Sequence, residues 1–465
     1  MAGAEWLSRY VSIERESTFG TEPNGSAQIY GEVDDESFKQ TFELLTRSDM
    51  ARQVASKATT NTKYGEGTIN FAIQPDNFMG NIISAFLPVT AAANWVEGLD
   101  LSNTAKQGAS LGTQTGVLTF TDNGSTSTVD PAGYYRVYST AEVGSGGQFE
   151  GMGLSAGRVY AYITNPGLYN GSTVPTVALT GLSHSGNGGS GTAPNPAAPI
   201  VQFAGAKHHV FNEPTATTHA YPSFTIRIGR EAKEHTFTGM CATKMNITAN
   251  LNEYVMASVD WLGQSEAAPA TIQTTGLAFS TADAMHFSRA ELYVDGSLSK
   301  NTKILSINLE ININRDLDSA YAVGQSTITR MPPSRTREIT GTMEFNEIVY
   351  DDTTGTTREP TYQELATDSN SVHSIQSGSG IPSLKFVFVG DTAGDEIHIE
   401  LYNVRFEAPE ASVSGRDPAR MTVGFQAFHD LGPASGTGAG KGADKAIQMK
   451  LIGSGDSGIQ TAAFE

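Results

Sequence analysis

The sequence is almost without cysteine, since Cys241 is the single one among 465 residues. One thiol cannot form an intrachain disulfide, so the fold must be held together by packing. Cys241 lies on the alternating run from Phe237 to Met245. This position predicts an inert core thiol rather than a nucleophile.

Long apolar runs are also missing. No uninterrupted stretch approaches the length of about 20 residues that a membrane-spanning helix requires, and no charged segment followed by an apolar one opens the chain. We therefore expect a protein that is assembled in the cytoplasm, is not exported by a signal of its own and has no membrane partner.

Positive charge is scarce, with 30 Lys and Arg against 49 Asp and Glu and a formal net charge of −19. Proteins bind nucleic acids by replacing counterions with Lys and Arg, so this balance argues against nucleic-acid affinity. A surface past which DNA only slides would carry this sign. Solubility or adaptation to a saline environment explains the acidity equally well.

No motif for catalysis, a cofactor or a metal stands out. His208 and His209 are neighbours on one predicted strand and point to opposite faces, which is unsuited to joint ligation with His219. The glycine-rich segment before Lys441 lacks the first glycine and the hydroxyl residue of a phosphate-binding loop. We expect no enzyme activity, no cofactor and no metal.

What the chain does contain is short alternating runs between turns rich in its 49 glycines, which predicts an all-β protein. The clearest run extends from Lys303 to Asn314, where every second residue is apolar, and a second run from Ile339 to Phe345 follows a loop. The alternation is typical of strands with one buried and one wet face.

The same pattern occurs nearer the start of the chain, at residues 37–45 and 66–74, and Gly67–Phe71 aligns with Gly341–Phe345. Each pair of strands is followed by a helix signal, at Phe78–Leu87 and after Pro360. Two later matches keep the order: 222–226 aligns with 382–386, and Val255, Ala257, Val259 and Trp261 align with Met421, Val423, Phe425 and Ala427. We interpret this as a tandem duplication.

The duplication predicts three units. The first domain comprises 1–90 and 221–265, the second comprises 266–465, and 91–220 is an inserted β domain on the exterior. Strands are predicted in the insertion at 116–121, 134–138, 158–163 and 174–179, and a final edge strand at 447–451.

Three segments resemble one known family: Glu16–Pro23 (ESTFGTEP), Asp35–Lys39 (DESFK) and Tyr64–Gly67 (YGEG). Together they look like the tail tube (major tail) proteins of long-tailed bacterial and archaeal viruses. The duplicated layout is similar to members with two β-sandwich, barrel-forming tube domains per subunit, which assemble as trimeric, pseudo-hexameric rings.

The resemblance implies a structural virion protein whose stacked rings conduct viral DNA through a sheathless, siphovirus-like tail. Its implied partners are further copies of itself, the tail tip and tail terminator proteins, and, in the lumen without specific binding, the tape measure protein and DNA.

The resemblance also assigns candidate sites. The polar faces of the four long strands would line the lumen, where the charged residues are Lys39, Glu43, Glu66, Glu310 and Glu344. Two loops rich in cations would contact the neighbouring ring, with Arg47, Arg52, Lys57 and Lys63 in the first and Arg315, Arg330, Arg335 and Arg337 in the second.

A carbohydrate-binding or adhesin-like β-sandwich is the alternative, since Gly- and Thr-rich strands suit it too. Such a protein would gather exposed aromatic residues in one groove, whereas Trp6, Trp95 and Trp261 are far apart in the sequence.

Overall fold

A computed structural model describes residues 9–25, 28–47, 57–88, 206–214, 221–294, 297–299, 304–347, 383–391, 395–412, 419–429 and 445–454, together with short strands between 95 and 178. These residues contain one α-helix, α1 (Asn77–Phe86), and two short 3₁₀ helices, Phe287–Arg289 and Asp318–Ala320. The strands are β1 (Tyr10–Arg15), β2 (Ile29–Gly31), β3 (Asp35–Glu36), β4 (Lys39–Arg47), β5 (Lys57–Ala72), β6 (Trp95–Val96), β7 (Ala109–Leu111), β8 (Val117–Phe120), β9 (Gly133–Tyr138), β10 (Arg158–Ile163), β11 (Thr176–Ala178), β12 (Ala206–Asn212), β13 (Phe224–Arg230), β14 (Lys233–Asn250), β15 (Met256–Gly263), β16 (Ser265–Glu266), β17 (Ala270–Thr271), β18 (Ala290–Val294), β19 (Ser297–Ser299), β20 (Ile304–Asn312), β21 (Glu338–Phe345), β22 (Leu384–Val389), β23 (Glu396–Leu401), β24 (Val404–Phe406), β25 (Glu410–Ser412), β26 (Arg420–Ala427) and β27 (Ile447–Ser454). The predicted all-β class is confirmed.

One antiparallel sheet runs through the described part of the chain. Its strand order is β4, β5, β15, the second half of β14, β20, β21, β26 and finally β24 with β25. We call this arrangement the long sheet. The first four strands come from the N-terminal half and the remaining five from the C-terminal half, where β24 and β25 share one position beside β26, and the halves are joined where β14 pairs with β20. We call that junction the internal seam.

A second layer covers the apolar face of the long sheet. Strand β14 has 18 residues and a register shift between Ala242 and Lys244, so its first half leaves the long sheet and joins β13, β1 and β2. A seven-stranded sheet, β19-β18-β22-β23-β27-β12-β6, forms the rest of the layer. Aromatic rings meet in the core between the layers, as Phe224 does with Trp261 at 5.7 Å and Phe386 with Phe425 at 6.2 Å.

Helix α1 fills one end of this core. The Asp76 carboxylate accepts a hydrogen bond of 2.8 Å from the Met79 N–H and thereby caps the first turn. Phe78, Ile82 and Phe86 are buried at the spacing that the sequence predicts. The second predicted helix, after Pro360, lies outside the described residues. No helix among the described residues has the length and apolar character that crossing a membrane requires.

The two halves of the long sheet share one pairing pattern. Gly67 lies opposite Trp261 in the first half, and Gly341 lies opposite Phe425 in the second. A Cβ atom on either glycine would lie within 2.5 Å of a phenylalanine side chain, which explains glycine at both positions. The registers agree with the predicted alignment of Gly67 with Gly341. The registers align Trp261 with Phe425, whereas the sequence alignment pairs Trp261 with Ala427. The two alignments of this strand therefore differ by two residues. The duplication itself remains an inference.

Three further predictions meet the structure in different ways. The four strands predicted in the insertion correspond to β8, β9, β10 and β11. The prediction that the final strand, β27, is an edge strand is wrong, because β27 pairs with β23 on one side and with β12 on the other. A sequence pattern cannot reveal this partner, which lies more than 200 residues away. The domain boundaries remain predictions, although the pairing of β12 with β27 favours assigning 206–212 to the second layer.

Candidate assembly surfaces

The five residues predicted to line a lumen share the polar face of the long sheet. Lys39 lies opposite Glu66, and Glu310 lies opposite Thr340. Glu344 lies opposite Ser306. Ser306 precedes Glu310 by four residues on β20, so Glu344 and Glu310 are on the same face. Glu43 follows Lys39 at the same parity on β4. The structure thus brings all five residues to one surface; that this surface lines a bore remains a prediction.

Cross-strand ion pairs link three of these acids to cations. Glu66 pairs with Lys39 at 3.2 Å, Glu310 with Lys244 at 2.7 Å across the internal seam, and Glu344 with Arg420 at 2.8 Å. Each side chain is at least 31% exposed, so each pair contributes only about 0–1 kcal/mol to folding. The pairs instead space the charges, and the face carries alternating signs rather than a uniform negative field.

Sequence reasoning missed Lys244, Asp260 and Arg420 on this face. All three occupy polar positions of strands in which polar and apolar residues alternate. Only the apolar positions of these strands contributed to the prediction from sequence. The registers add four further charged residues to the face, namely Asp35, Glu338, Arg405 and Glu410. Acids outnumber bases by eight to four among these described residues of the face, compared with four to one in the predicted set. The face therefore has the predicted sign of charge, but a larger share of its acids is matched by cations.

The long sheet has two different edges. At one edge, β3 and β4 pair only with β5 among the described strands. At the other, β24 and β25 pair only with β26. Unpaired backbone donors and acceptors at a sheet edge are a template for another strand. Pro409 interrupts the second edge between β24 and β25, a residue that sheets tolerate mainly at edges.

A hairpin arm extends the first edge. We define the arm as residues 41–47 of β4 and 57–64 of β5, which span about 23 Å along the strand. Phe42, Leu44 and Leu45 on the arm are 54%, 63% and 65% exposed. A register shift between Glu43 and Leu44 turns apolar side chains to both faces of the arm. A surface of this kind marks an interaction site.

The arm differs from the loop predicted between Thr46 and Tyr64. Strand β5 begins at Lys57, because the threonine-rich stretch that follows has high β propensity. Arg47 lies directly opposite Lys57 in the register. Arg47 is exposed, so an acidic surface would be complementary to this end of the arm. Arg52 lies outside the described residues.

The opposite end of the long sheet is acidic. Glu253 lies in the turn between β14 and β15, Asp34 bonds through its N–H to the Asn70 carbonyl on β5, and Glu347 follows the end of β21 at the same end of the sheet. The same turn exposes Leu251 and Tyr254, which are 51% and 58% exposed. We call this the lower end and the end with the arm the upper end. The two ends are therefore complementary in charge, and both expose apolar side chains.

The second predicted contact loop, residues 313–337, is folded against its own chain. The Lys63 N–H donates a 2.7 Å hydrogen bond to the Ser326 carbonyl, so the loop lies against the base of the arm. Gln264 donates from its side chain to the Ile328 carbonyl at 3.0 Å. This loop therefore braces the arm.

Two cations of this loop are engaged within the chain. Arg315 donates to the carbonyls of Ala242 and Pro332 at 2.7 and 3.0 Å, and burial lowers its pKa. Arg337 donates to the Tyr221 hydroxyl at 2.6 Å and to the carbonyl of Phe86 at the end of α1. These contacts hold the loop to the core.

The other two cations of the loop are exposed. Arg335 pairs with Asp316 at 2.6 Å, and Arg330 donates to the Ser319 carbonyl at 2.6 Å. Contact of any of these cations with another ring remains a prediction, and the geometry favours Arg330 and Arg335 over Arg315 and Arg337.

The remaining candidate groups from the sequence are the single cysteine, the histidines and the glycine-rich segment. Cys241 is buried, and desolvation raises the pKa of its thiol to about 11. No cluster of three His, Cys, Asp or Glu suited to a metal occurs within the described ranges. His219 and the glycine-rich segment before Lys441 lie outside those ranges.

A family model described as phage tail tube protein matches residues 6–427. A search of curated proteins found no significant match.

Proposed function

Because the chain belongs to the phage tail tube family, which makes it a structural protein of the virion tail, we propose that three copies close into a ring and that rings stack into a hollow tube for viral DNA. One observation carries this proposal: the two open edges of the long sheet correspond to the two strands that meet at the internal seam. The chain thus pairs within itself in the way that it would pair with its neighbours.

The correspondence follows from the matched registers. Strands β3 and β4 occupy the place in the first half that β20 occupies in the second, while β24 and β25 correspond to the second half of β14. Since β14 pairs with β20 inside the chain, β24 and β25 of one copy are suited to pair with β3 and β4 of the next. The arrangement supports the proposed duplication and removes every free edge from a closed ring.

The number of strands supports a ring of several copies. A barrel of about eight strands is filled by its own side chains, whereas one of about 16 to 18 strands leaves an aqueous channel. One chain contributes eight strands to the long sheet when β24 and β25, which follow each other along β26, are counted as one. Three chains would give 24 strands and an open bore, with the polar face inward because the second layer covers the other face.

The bore would suit passage rather than binding. DNA and the tape measure protein would meet hydroxyl and amide side chains, ion pairs and a moderate excess of acids. At physiological salt the Debye length is about 8 Å, so the excess acids repel phosphates only at short range. A lining without clustered free cations gives a polyanion no site at which to stop.

Stacking would join the upper end of one ring to the lower end of the next. The arm presents three exposed apolar side chains and the exposed cation Arg47, and the lower end presents Leu251, Tyr254 and several acids. Opposite charges fix the direction of stacking, and apolar burial supplies most of the free energy. The terminal rings would offer the same two surfaces to the tail tip and tail terminator proteins.

The insertion at 91–220 would decorate the outside. Helix α1, from which the insertion departs, packs against β1 and β2 of the second layer, away from the polar face. A bulky exterior domain leaves no room for a contractile sheath, so we propose a flexible, sheathless tail.

Negative-stain microscopy and light scattering of the purified protein test the proposal. Trimers at low concentration and hollow tubes with threefold symmetry at high concentration are expected. A protein that remains monomeric at every concentration, or that forms solid aggregates, would contradict it.

A further inference from the structure

At the centre of the edge formed by β3 and β4, side chains of the same subunit hydrogen-bond to the backbone groups that face outward. Ser37 N–H bonds to the Thr68 carbonyl on β5, so the N–H and C=O of the next residue, Phe38, face away from β5 toward the open edge. The Phe38 N–H donates to the Glu36 carboxylate at 3.0 Å. The Phe38 carbonyl accepts a 2.7 Å hydrogen bond from Arg230.

The two side chains that occupy these backbone groups form one unit. Arg230 meets Glu36 through two parallel contacts, Nε to Oε1 at 2.9 Å and Nη2 to Oε2 at 2.6 Å. Arg230 comes from the end of β13 and reaches across to the edge strand. We call this unit the edge cap, comprising Glu36 and Arg230.

The internal seam shows what the same backbone groups do when a neighbouring strand is present. The registers align Phe38 with Leu309, and Leu309 lies opposite Ile247 across the seam. Ile313 N–H bonds to the Thr243 carbonyl and Leu251 N–H to the Leu305 carbonyl. This alternation makes Leu309 and Ile247 a directly hydrogen-bonded pair. In the open edge, the equivalent of Ile247 is Ala411 on β25.

We propose that the edge cap closes the strand edge in the unassembled subunit, and that Ala411 of a second copy replaces it when the ring forms. The inference rests on the proposed ring and specifies its register. Phe38 faces Ala411, Lys39 faces Glu410, and Ser37 faces Ser412. The cap satisfies the two most central edge groups until the correct strand arrives, which limits pairing with other strands.

The side chains at this register are complementary. Lys39 and Glu410 carry opposite charges at facing positions on the polar face. On the apolar face a large residue, Phe38, meets a small one, Ala411, where the internal seam pairs Leu309 with Ile247, two residues of intermediate size. Arg230 and Glu36 line a groove of about 800 Å³ that also contains Arg9 and Phe279, and the displaced side chains have room to turn there.

Paired cysteines test the register. Lys39 and Glu410 would be a pair without direct hydrogen bonds, for which the Cα separation is about 4.5 Å, within disulfide range. The double variant Lys39→Cys/Glu410→Cys is expected to give covalent trimers under mild oxidation, since each chain supplies both edges. The single native cysteine is buried and does not compete.

Two controls accompany this experiment. Lys39→Cys/Ser412→Cys places the thiols at a diagonal separation of about 7–8 Å and should crosslink poorly. Asn246→Cys/Glu310→Cys occupies the matching positions of the internal seam and should form an intrachain disulfide. Efficient crosslinking of the diagonal pair in place of the facing pair would overturn the register.

Substitution of the cap tests its role. Arg230→Gln and Glu36→Gln each break the ion pair, so trimers should form at a concentration about five-fold lower, equivalent to ~1 kcal/mol. The control is Arg289→Gln. Arg289 pairs with Asp391 at 2.6 Å and donates to the Gly390 carbonyl, a similar arrangement away from both edges. Thermal melts verify that all three variants are folded.

The outcomes separate the cap from the ring. Crosslinked trimers together with an unchanged assembly concentration in both cap variants would refute the cap and leave the ring standing. Absence of trimers from the wild type and from every variant would refute the ring itself.

Discussion

The exposed apolar side chains of the arm allow the stacking contact to be tested separately from ring closure. The triple variant Phe42→Ser/Leu44→Ser/Leu45→Ser removes them without touching the core, because all three are more than half exposed. We expect this variant to form rings that do not stack.

The magnitude follows from the exposed fractions. Together they amount to nearly two whole side chains available for burial. Complete burial of a Leu or Phe side chain stabilises by about 1.5–3 kcal/mol, so each arm would lose ~3–5 kcal/mol of stacking free energy. For each arm this corresponds to a contact that is weaker by roughly 10²- to 10⁴-fold, and since a ring of three copies has three arms, the affinity between rings should fall by more than this.

Sedimentation and negative-stain images, at concentrations where the wild type forms tubes, measure the effect. The matched control is Phe42→Met/Leu44→Met/Leu45→Met, which keeps the positions apolar and should retain stacking. Tubes of normal length from the serine variant would refute the assignment of the arm to the ring-to-ring contact.

Three further predictions concern single residues. Arg337→Ala should lower the free energy of unfolding by about 2–3 kcal/mol in denaturant titrations, because Tyr221 and the carbonyl of Phe86 lose a buried donor, whereas Arg330→Ala on the exposed part of the loop should change it by less than about 0.5 kcal/mol. Burial lowers the pKa of His398 from 6.5 to about 4, so the unfolded state takes up the proton first. The free energy of unfolding should therefore fall by up to ~3 kcal/mol as the pH decreases from 6.5 toward 4. His398→Gln should lack this dependence on pH in denaturant titrations, and an identical dependence in the variant would contradict the assignment. Cys241, whose pKa burial raises to about 11, should react with a thiol reagent at pH 8 only in denaturant, and rapid labelling of the folded protein would show that the thiol is accessible.

The strands of the long sheet could be predicted because each has one wet and one buried face. Period-two alternation located β20 and β21, and the polar positions of these strands carry Glu310 and Glu344 on the predicted face. Helix α1 was predictable from its spacing and from the turn residues before it. These features depend on local sequence alone.

Pairings between distant segments were not predictable. No local signal indicates that β12 pairs with β27, or that Lys244 and Arg420 neutralise acids contributed by other strands. The fate of the two basic loops also depends on tertiary contacts: Arg315 and Arg337 have the same residue type as Arg330, yet they bind carbonyl groups of the core. Composition gives the sign of the net charge of a loop, whereas the groups that its side chains contact depend on the tertiary fold.

Cryo-electron microscopy of tubes assembled from the purified protein would resolve the proposed ring and its strand pairing. We expect threefold rings whose inner wall is a continuous barrel of 24 strands, eight from each chain, with Lys39 and Glu310 facing the bore. Rings of another symmetry, or a wall in which β4 and β25 of neighbouring chains do not meet, would contradict it.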